Sequence, residues 1–150
     1  MKRVNLIPLA VLYVTILTAL ACGNATEPAD VTGTWSYHTT NLDSRVPCNF
    51  SLVTLTLTQS GNAFTGSASG DHCTGTFENE MILNGSVFGD SVSFDIQLPQ
   101  TGTFSFRETH NSGTISGDSM GGDVTVLVVV CGIVCCCDEF TLSGNWSAVR

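Results

Sequence analysis

The chain carries seven cysteines, and four of them, Cys131, Cys135, Cys136 and Cys137, crowd together near the carboxyl end. Thiols this close can ligate a soft metal as thiolates or oxidise to disulfides. In an extended strand Cys135 and Cys137 share a face and Cys136 does not. That makes a poor preformed tetrahedral site, and the paired CxxC spacing of a good zinc motif is missing. Disulfides within the group, or with another chain, are the stronger expectation. A Cu(I) or Zn thiolate site is the weaker one, and no other cofactor is implied. His38, His72 and His110 are scattered with no HExxH spacing and read as surface histidines. No serine lies in G-x-S-x-G, so no nucleophile elbow is visible. Asp90 and Asp118 stand in turns, where carboxylates accept backbone hydrogen bonds. With no catalytic constellation, the chain is not expected to be an enzyme.

Cys22 has a different setting. Met1, Lys2 and Arg3 form a cationic start, and Val4 to Ala21 is apolar apart from Asn5, Thr15 and Thr18, broken only by Pro8. This is the layout of a signal peptide. The run Thr18-Ala19-Leu20-Ala21-Cys22 resembles the bacterial lipobox, with Ala19 where leucine is commoner. The resemblance implies that residues 1–21 are removed and that Cys22 becomes an acylated first residue. Two or more acyl chains then anchor the protein stably to a lipid bilayer. It further implies an exported, membrane-held protein of the cell envelope. Gly23 rather than aspartate after the cysteine points to the outer membrane if the source is diderm. A plain transmembrane anchor is the rival reading, because the apolar stretch approaches the ~20 residues that span a bilayer. Small and polar residues with Pro28 make residues 22–30 a short tether. Residues 31–150 are then one domain.

Without residues 1–21 the only strong bases are Arg45, Arg107 and Arg150, and against 13 acidic residues they leave a net charge of −10. Such a surface excludes nucleic acid as a partner, because phosphate neutralisation needs basic clusters. Acidic charge of this kind keeps an envelope protein soluble.

Gly, Ser and Thr are abundant, and no stretch after Cys22 repeats apolar residues at helical spacing, so the domain reads as all-β. In Val53-Thr54-Leu55-Thr56-Leu57-Thr58 the aliphatics share one face and the threonines the other. For Leu57 and Phe64 to share the buried face, paired residue numbers must sum to 121 or 123 across the Gly61-Asn62 turn. A two-residue turn at Gly89-Asp90 sets Val87, Gly85, Leu83 and Met81 opposite Val92, Phe94, Ile96 and Leu98. Gly117-Asp118 repeats the device and sets Ile115 against Met120. The motif G-x-[VI]-x-G-D-S-[VM] thus occurs at both Gly85 and Gly113, as repeated hairpins rather than a solenoid. Strands are expected at 33–40, 50–59, 63–70, 81–88, 91–98, 103–116, 119–130 and 138–149. The sixth should be bulged, since Phe104 and Phe106 lie on the parity opposite to Ile115. Eight sequential antiparallel strands make an up-and-down β-barrel, with a β-sandwich as the alternative. A pair sum of 121 sets Cys48 opposite Cys73 and predicts a disulfide between them, worth roughly 3 kcal/mol in loop-closure entropy. Val124 to Val134 is apolar on both parities. Leu127 and Val129 then face outward, either as a dimer, protein or membrane contact or beneath a neighbouring loop.

Gly33-Thr34-Trp35 resembles the G-x-W of calycins, the lipocalin and avidin-like barrels, in which the tryptophan plugs the closed end. Arg150, after Trp146 of the final strand, is similar to the late arginine that lies across that tryptophan. No lipocalin-type helix precedes the last strand, and no avidin ligand set aligns, so the resemblance implies fold and not ligand. Two functions follow. A cup lined by Trp35, Tyr37, Phe64, Phe94 and Trp146 would bind a small apolar or amphiphilic ligand, with Gly66, Ala68, Gly85 and Gly144 leaving room. Alternatively the barrel is filled by its own side chains, and the protein is a structural or interaction lipoprotein that contacts another envelope protein.

Overall fold

The computed structural model describes residues 27–42, 49–72, 75–99, 104–131 and 137–150. Eight strands run in chain order: β1 (Gly33–Thr40), β2 (Ser51–Ser60), β3 (Ala63–His72), β4 (Gly75–Phe88), β5 (Ser91–Gln97), β6 (Phe104–Ser116), β7 (Ser119–Cys131) and β8 (Cys137–Val149). Each pairs antiparallel with the next. β8 returns to β1 through pairs such as Tyr37 with Ala148 and Thr39 with Trp146, so the sheet closes into an up-and-down barrel. Closure leaves no free strand edge.

Three hairpins share one end of the barrel. Their turns place Gly61, Gly89 and Gly117 at φ of 61°, 59° and 59°. A left-handed glycine at the first central position matches the twist of the flanking strands. The β2–β3 register is 123 by residue number, with Leu57 opposite Gly66 and diagonal to Phe64. Val87 faces Val92, and Ile115 faces Met120, as the turn arithmetic requires. In β1, β2, β7 and β8 every second side chain enters the core, including Trp35, Tyr37, Val53, Leu55, Leu57, Val124, Val126, Val128, Leu142, Trp146 and Ala148.

The arithmetic fails where a bulge intervenes. β4 begins at Gly75, six residues before the expected start at 81, and carries Asn79 and Asn84 at φ of 57° and 53°. Asparagine tolerates the left-handed region better than other side-chain-bearing residues. An inserted residue sends its neighbours to the opposite face. Beyond Asn84 the β4–β5 register changes by one, so that Ile82 rather than Leu83 pairs with Ile96. Met81, expected inside, is therefore 56% exposed, while Ile82 and Phe77 are buried. In β6 the expected bulge lies between Phe106 and Glu108 and reconciles inward Phe106 with inward Thr109, Asn111 and Ile115. At the far end of β2 the register also changes, with Ser51 opposite Asp71. The proposed partners Cys48 and Cys73 lie outside the described residues.

A methyl group on Gly85 would come within 2.3 Å of the Phe64 carbonyl oxygen and 2.7 Å of its ring. Gly85→Ala should therefore lower stability by about 2 kcal/mol or more through overpacking. Gly61→Ala, which meets nothing within 4 Å, carries only the left-handed strain of about 1 kcal/mol. Denaturant midpoints of the two variants check this ordering.

Candidate functional site

Of the five aromatic residues expected to line a cup, Tyr37, Phe64, Phe94 and Trp146 converge, but as packing partners, while Trp35 lies at the plug under Arg150. Tyr37 stacks on Trp146 at 5.9 Å, Phe94 meets Trp146 edge-on at 5.2 Å, and Phe64 meets Phe94 at 5.9 Å. All five are buried. A second group, Phe50, Phe77 and Phe106, packs further along the interior with ring separations of 5.4 and 6.5 Å. The glycines do not leave room. The Phe64 ring covers Gly85, and Leu42 comes within 2.9 Å of a side chain built at Gly144. At Gly66 the Thr56 carbonyl oxygen lies only 2.1 Å from such an atom, so the small residues admit neighbouring backbone and not a guest.

Inside this apolar filling runs one polar chain. The Tyr37 hydroxyl donates to Asn111 Oδ1 at 2.9 Å, and Asn111 Nδ2 donates to Thr109 Oγ1 at 2.8 Å and to the Phe94 carbonyl at 3.2 Å. Buried polar groups persist only when they are bonded in this way. Burial alone pushes the Tyr37 hydroxyl far above its ordinary value of 10.0. Asn111 was not legible as an inward residue, because its parity becomes clear only once the β6 bulge is placed.

The end bearing the hairpin turns is plugged. Residues 29–32 cross it: Ala29 N–H donates to the Gly89 carbonyl, Val31 N–H to Gln59 Oε1, and Trp35 Nε1 to the Val31 carbonyl at 2.8 Å. Val31 is fully buried. The Arg150 guanidinium lies 4.6 Å from the Trp35 ring centre, donates through Nη1 to the Thr32 carbonyl, and pairs through Nε with Asp118 at 3.1 Å. A cation over an indole face is held by the ring quadrupole. The backbone and hydroxyl of Thr32 hold the Asp30 carboxyl below the usual carboxylate range, with a smaller contribution from Arg150. The tryptophan and arginine expected at the closed end thus meet there, an arrangement consistent with a calycin-like fold.

On the outer wall, Asp95 is only 5% exposed, although it lies on the face away from the core. Its Oδ1 contacts His110 Nδ1 at 2.5 Å and its Oδ2 accepts from Asn84 Nδ2 at 2.6 Å. Beside His110 a dish of about 250 Å³ is lined by Glu108, Thr125, Leu127 and Thr141. Leu127 and Val129 face outward, as expected, and are half-buried. A larger hollow of about 540 Å³ includes Leu83, Gln97, Leu98, Pro99 and Arg107 at the end opposite the plug. A third, of about 420 Å³, lies beside Glu27, Pro28 and Gln59. None of the three is lined by the five aromatic residues.

Cys131 and Cys137 form a disulfide across the β7–β8 ends, with Cα atoms 4.0 Å apart. That removes both from any thiolate set and answers part of the pairing question in favour of disulfides within the cluster. Cys135, Cys136 and Cys22 lie outside the described residues. Among the described residues no group of three His, Cys, Asp or Glu side chains is placed to hold a metal ion. No protein-family model matches the chain, and neither does any curated protein.

The domain holds a single tyrosine, Tyr37. Its neutral form is favoured by folding, so the Tyr37 contribution to stability should stay constant below about pH 10 and be lost progressively above it, where only the unfolded chain releases the proton. Tyrosinate absorbance should accordingly appear only together with unfolding, whereas a smooth titration near pH 10 in folded protein would contradict the burial. Phe94→Ala should cost about 3–5 kcal/mol, measured by denaturant unfolding, since it empties the centre of the ring cluster.

Proposed function

We propose that this protein is a cell-envelope lipoprotein, acylated at Cys22 and tethered to a membrane, whose barrel acts as an interaction module toward another envelope protein. The filled interior carries this choice of role. Both aromatic groups pack on themselves, and the inward glycines are occupied by adjacent backbone and side chains. A barrel of eight strands is narrow enough for its own side chains to fill it. Recognition then falls to the wall, and the outward Leu127 and Val129 beside the Glu108–His110 dish supply a small apolar centre with a polar rim. The anchor rests on the cationic start, the apolar run and the Thr18–Cys22 resemblance. No catalytic role is proposed.

One observation favours the second reading, a small apolar or amphiphilic ligand held by the barrel. The hollow of about 540 Å³ toward the end opposite the plug falls within the usual size of small-molecule sites, and Leu83, Leu98 and Pro99 share its lining with Glu80, Gln97, Arg107 and Glu108, which suits an amphiphilic guest better than a wholly apolar one.

Native mass spectrometry of the protein purified from its own host separates the two. A stoichiometric protein partner, lost in Leu127→Asp/Val129→Asp, is the expected result. A copurifying lipid or metabolite, retained in that variant, would favour the ligand reading. Intact mass tests the anchor independently: the mature chain should begin at Cys22 and carry acyl chains, and Cys22→Ser should lack them.

A further inference from the structure

We infer that the plugged end of the barrel is a membrane-seating surface, with Phe88 resting in the interface of a zwitterionic phospholipid bilayer and the disulfide-bearing end facing away. The inference rests on acylation of Cys22 and adds an orientation to it. Phe88 is the last residue of β4 and is 81% exposed, an uncommon state for a phenylalanine. Its neighbour Gly89 accepts the hydrogen bond from Ala29 N–H, so the incoming chain is fastened to the barrel one residue away from this ring. From Ala29 the chain runs across the plug to β1, while Pro28 and the exposed Glu27 lie at the same end, beside Gln59, Gly61 and Asn62 of the β2–β3 turn. Only five residue steps separate Cys22 from Glu27, a reach of at most about 18 Å even when fully extended. Acyl chains buried in a bilayer therefore hold this end, and not the other, near the headgroups. The opposite end lies a full strand length further out.

An aromatic ring at headgroup depth contributes to membrane seating, as interfacial aromatics generally do. The charge at this end selects the lipid. Glu27, Asp30, Asp90 and Asp118 all lie around the plug, and Arg150, already paired with Asp118, is the only strong base there among the described residues. An acidic rim is repelled by anionic headgroups and tolerated by zwitterionic ones.

The test uses the acylated mature protein, beginning at Cys22, reconstituted into phosphatidylcholine vesicles doped with a headgroup-proximal nitroxide lipid. Trp35 and Trp146 are buried, so the unsubstituted protein supplies the baseline. Phe88→Trp should be quenched at least twofold relative to that baseline. Leu52→Trp, at an equally exposed position at the far end of β2, should show no added quenching. Replacing part of the phosphatidylcholine by an anionic lipid should reduce the Phe88→Trp signal. Quenching of Leu52→Trp instead, or equal quenching of both, overturns the orientation even when acylation is intact. A mass spectrum without acyl chains overturns the underlying reading and is distinguished from the orientation by that measurement alone.

Discussion

Closure of β8 onto β1 is the constraint from which the rest of the structure follows. Once Tyr37 pairs with Ala148 and Thr39 with Trp146, the sheet has an inside of fixed girth, and alternate residues of each strand must fit into it. The inside is filled by large rings, Trp35, Tyr37, Phe94 and Trp146 in one part and Phe50, Phe77 and Phe106 in another. Rings of that size fit only because glycine stands where strands bend closest, as at Gly85 beneath Phe64. The same glycines that suggested an empty cup in the sequence are thus the condition for a full one.

The hairpin ends were the most legible part of the chain. At Gly89-Asp90 and Gly117-Asp118 a left-handed glycine followed by Asp fixes the register to a single value, and from it the inward identities of Val87, Val92, Ile115 and Met120 follow by counting, whereas Gly61-Asn62 left two values open, of which the structure takes 123. Strand number and the antiparallel order were legible for the same reason, because they depend on local alternation, whereas the meeting of Trp35 with Arg150 was implied only by the calycin resemblance. Counting stops working at Asn84 and Asn79, because one left-handed residue inverts every later side chain in the strand. Met81 and Ile82 exchange faces for this cause alone. Asparagine within an otherwise regular strand run was the available signal, yet asparagine is equally common in turns, so sequence alone gave it little weight.

The interaction face was less legible than the fold. Outward residues obey no alternation beyond being polar, and Asp95 shows the difficulty: it is on the outer wall yet almost fully covered, held by His110 from β6 and by Asn84 from the β4 bulge. No spacing in the chain links those three positions. They meet because a backbone irregularity on one strand swings an amide over a carboxylate on the next. The cysteines present the intermediate case. Crowding predicted oxidation within the cluster or to another chain, and the Cys131–Cys137 choice depended on how far β7 and β8 remain paired.

The Asn84 contact has a consequence for sequence tolerance. Aspartate is nearly isosteric with asparagine and also accepts left-handed geometry, so by shape it should serve equally well at position 84. It would nevertheless bring a second carboxylate within hydrogen-bonding distance of Asp95, which is itself almost fully covered although position 84 is exposed. A single amide-to-acid exchange, the mildest change in volume available, would therefore set like charges against each other at the point where β4 changes face. Position 84 is thus narrower in its chemistry than its place on the surface suggests: the wall of this acidic protein depends there on a neutral group.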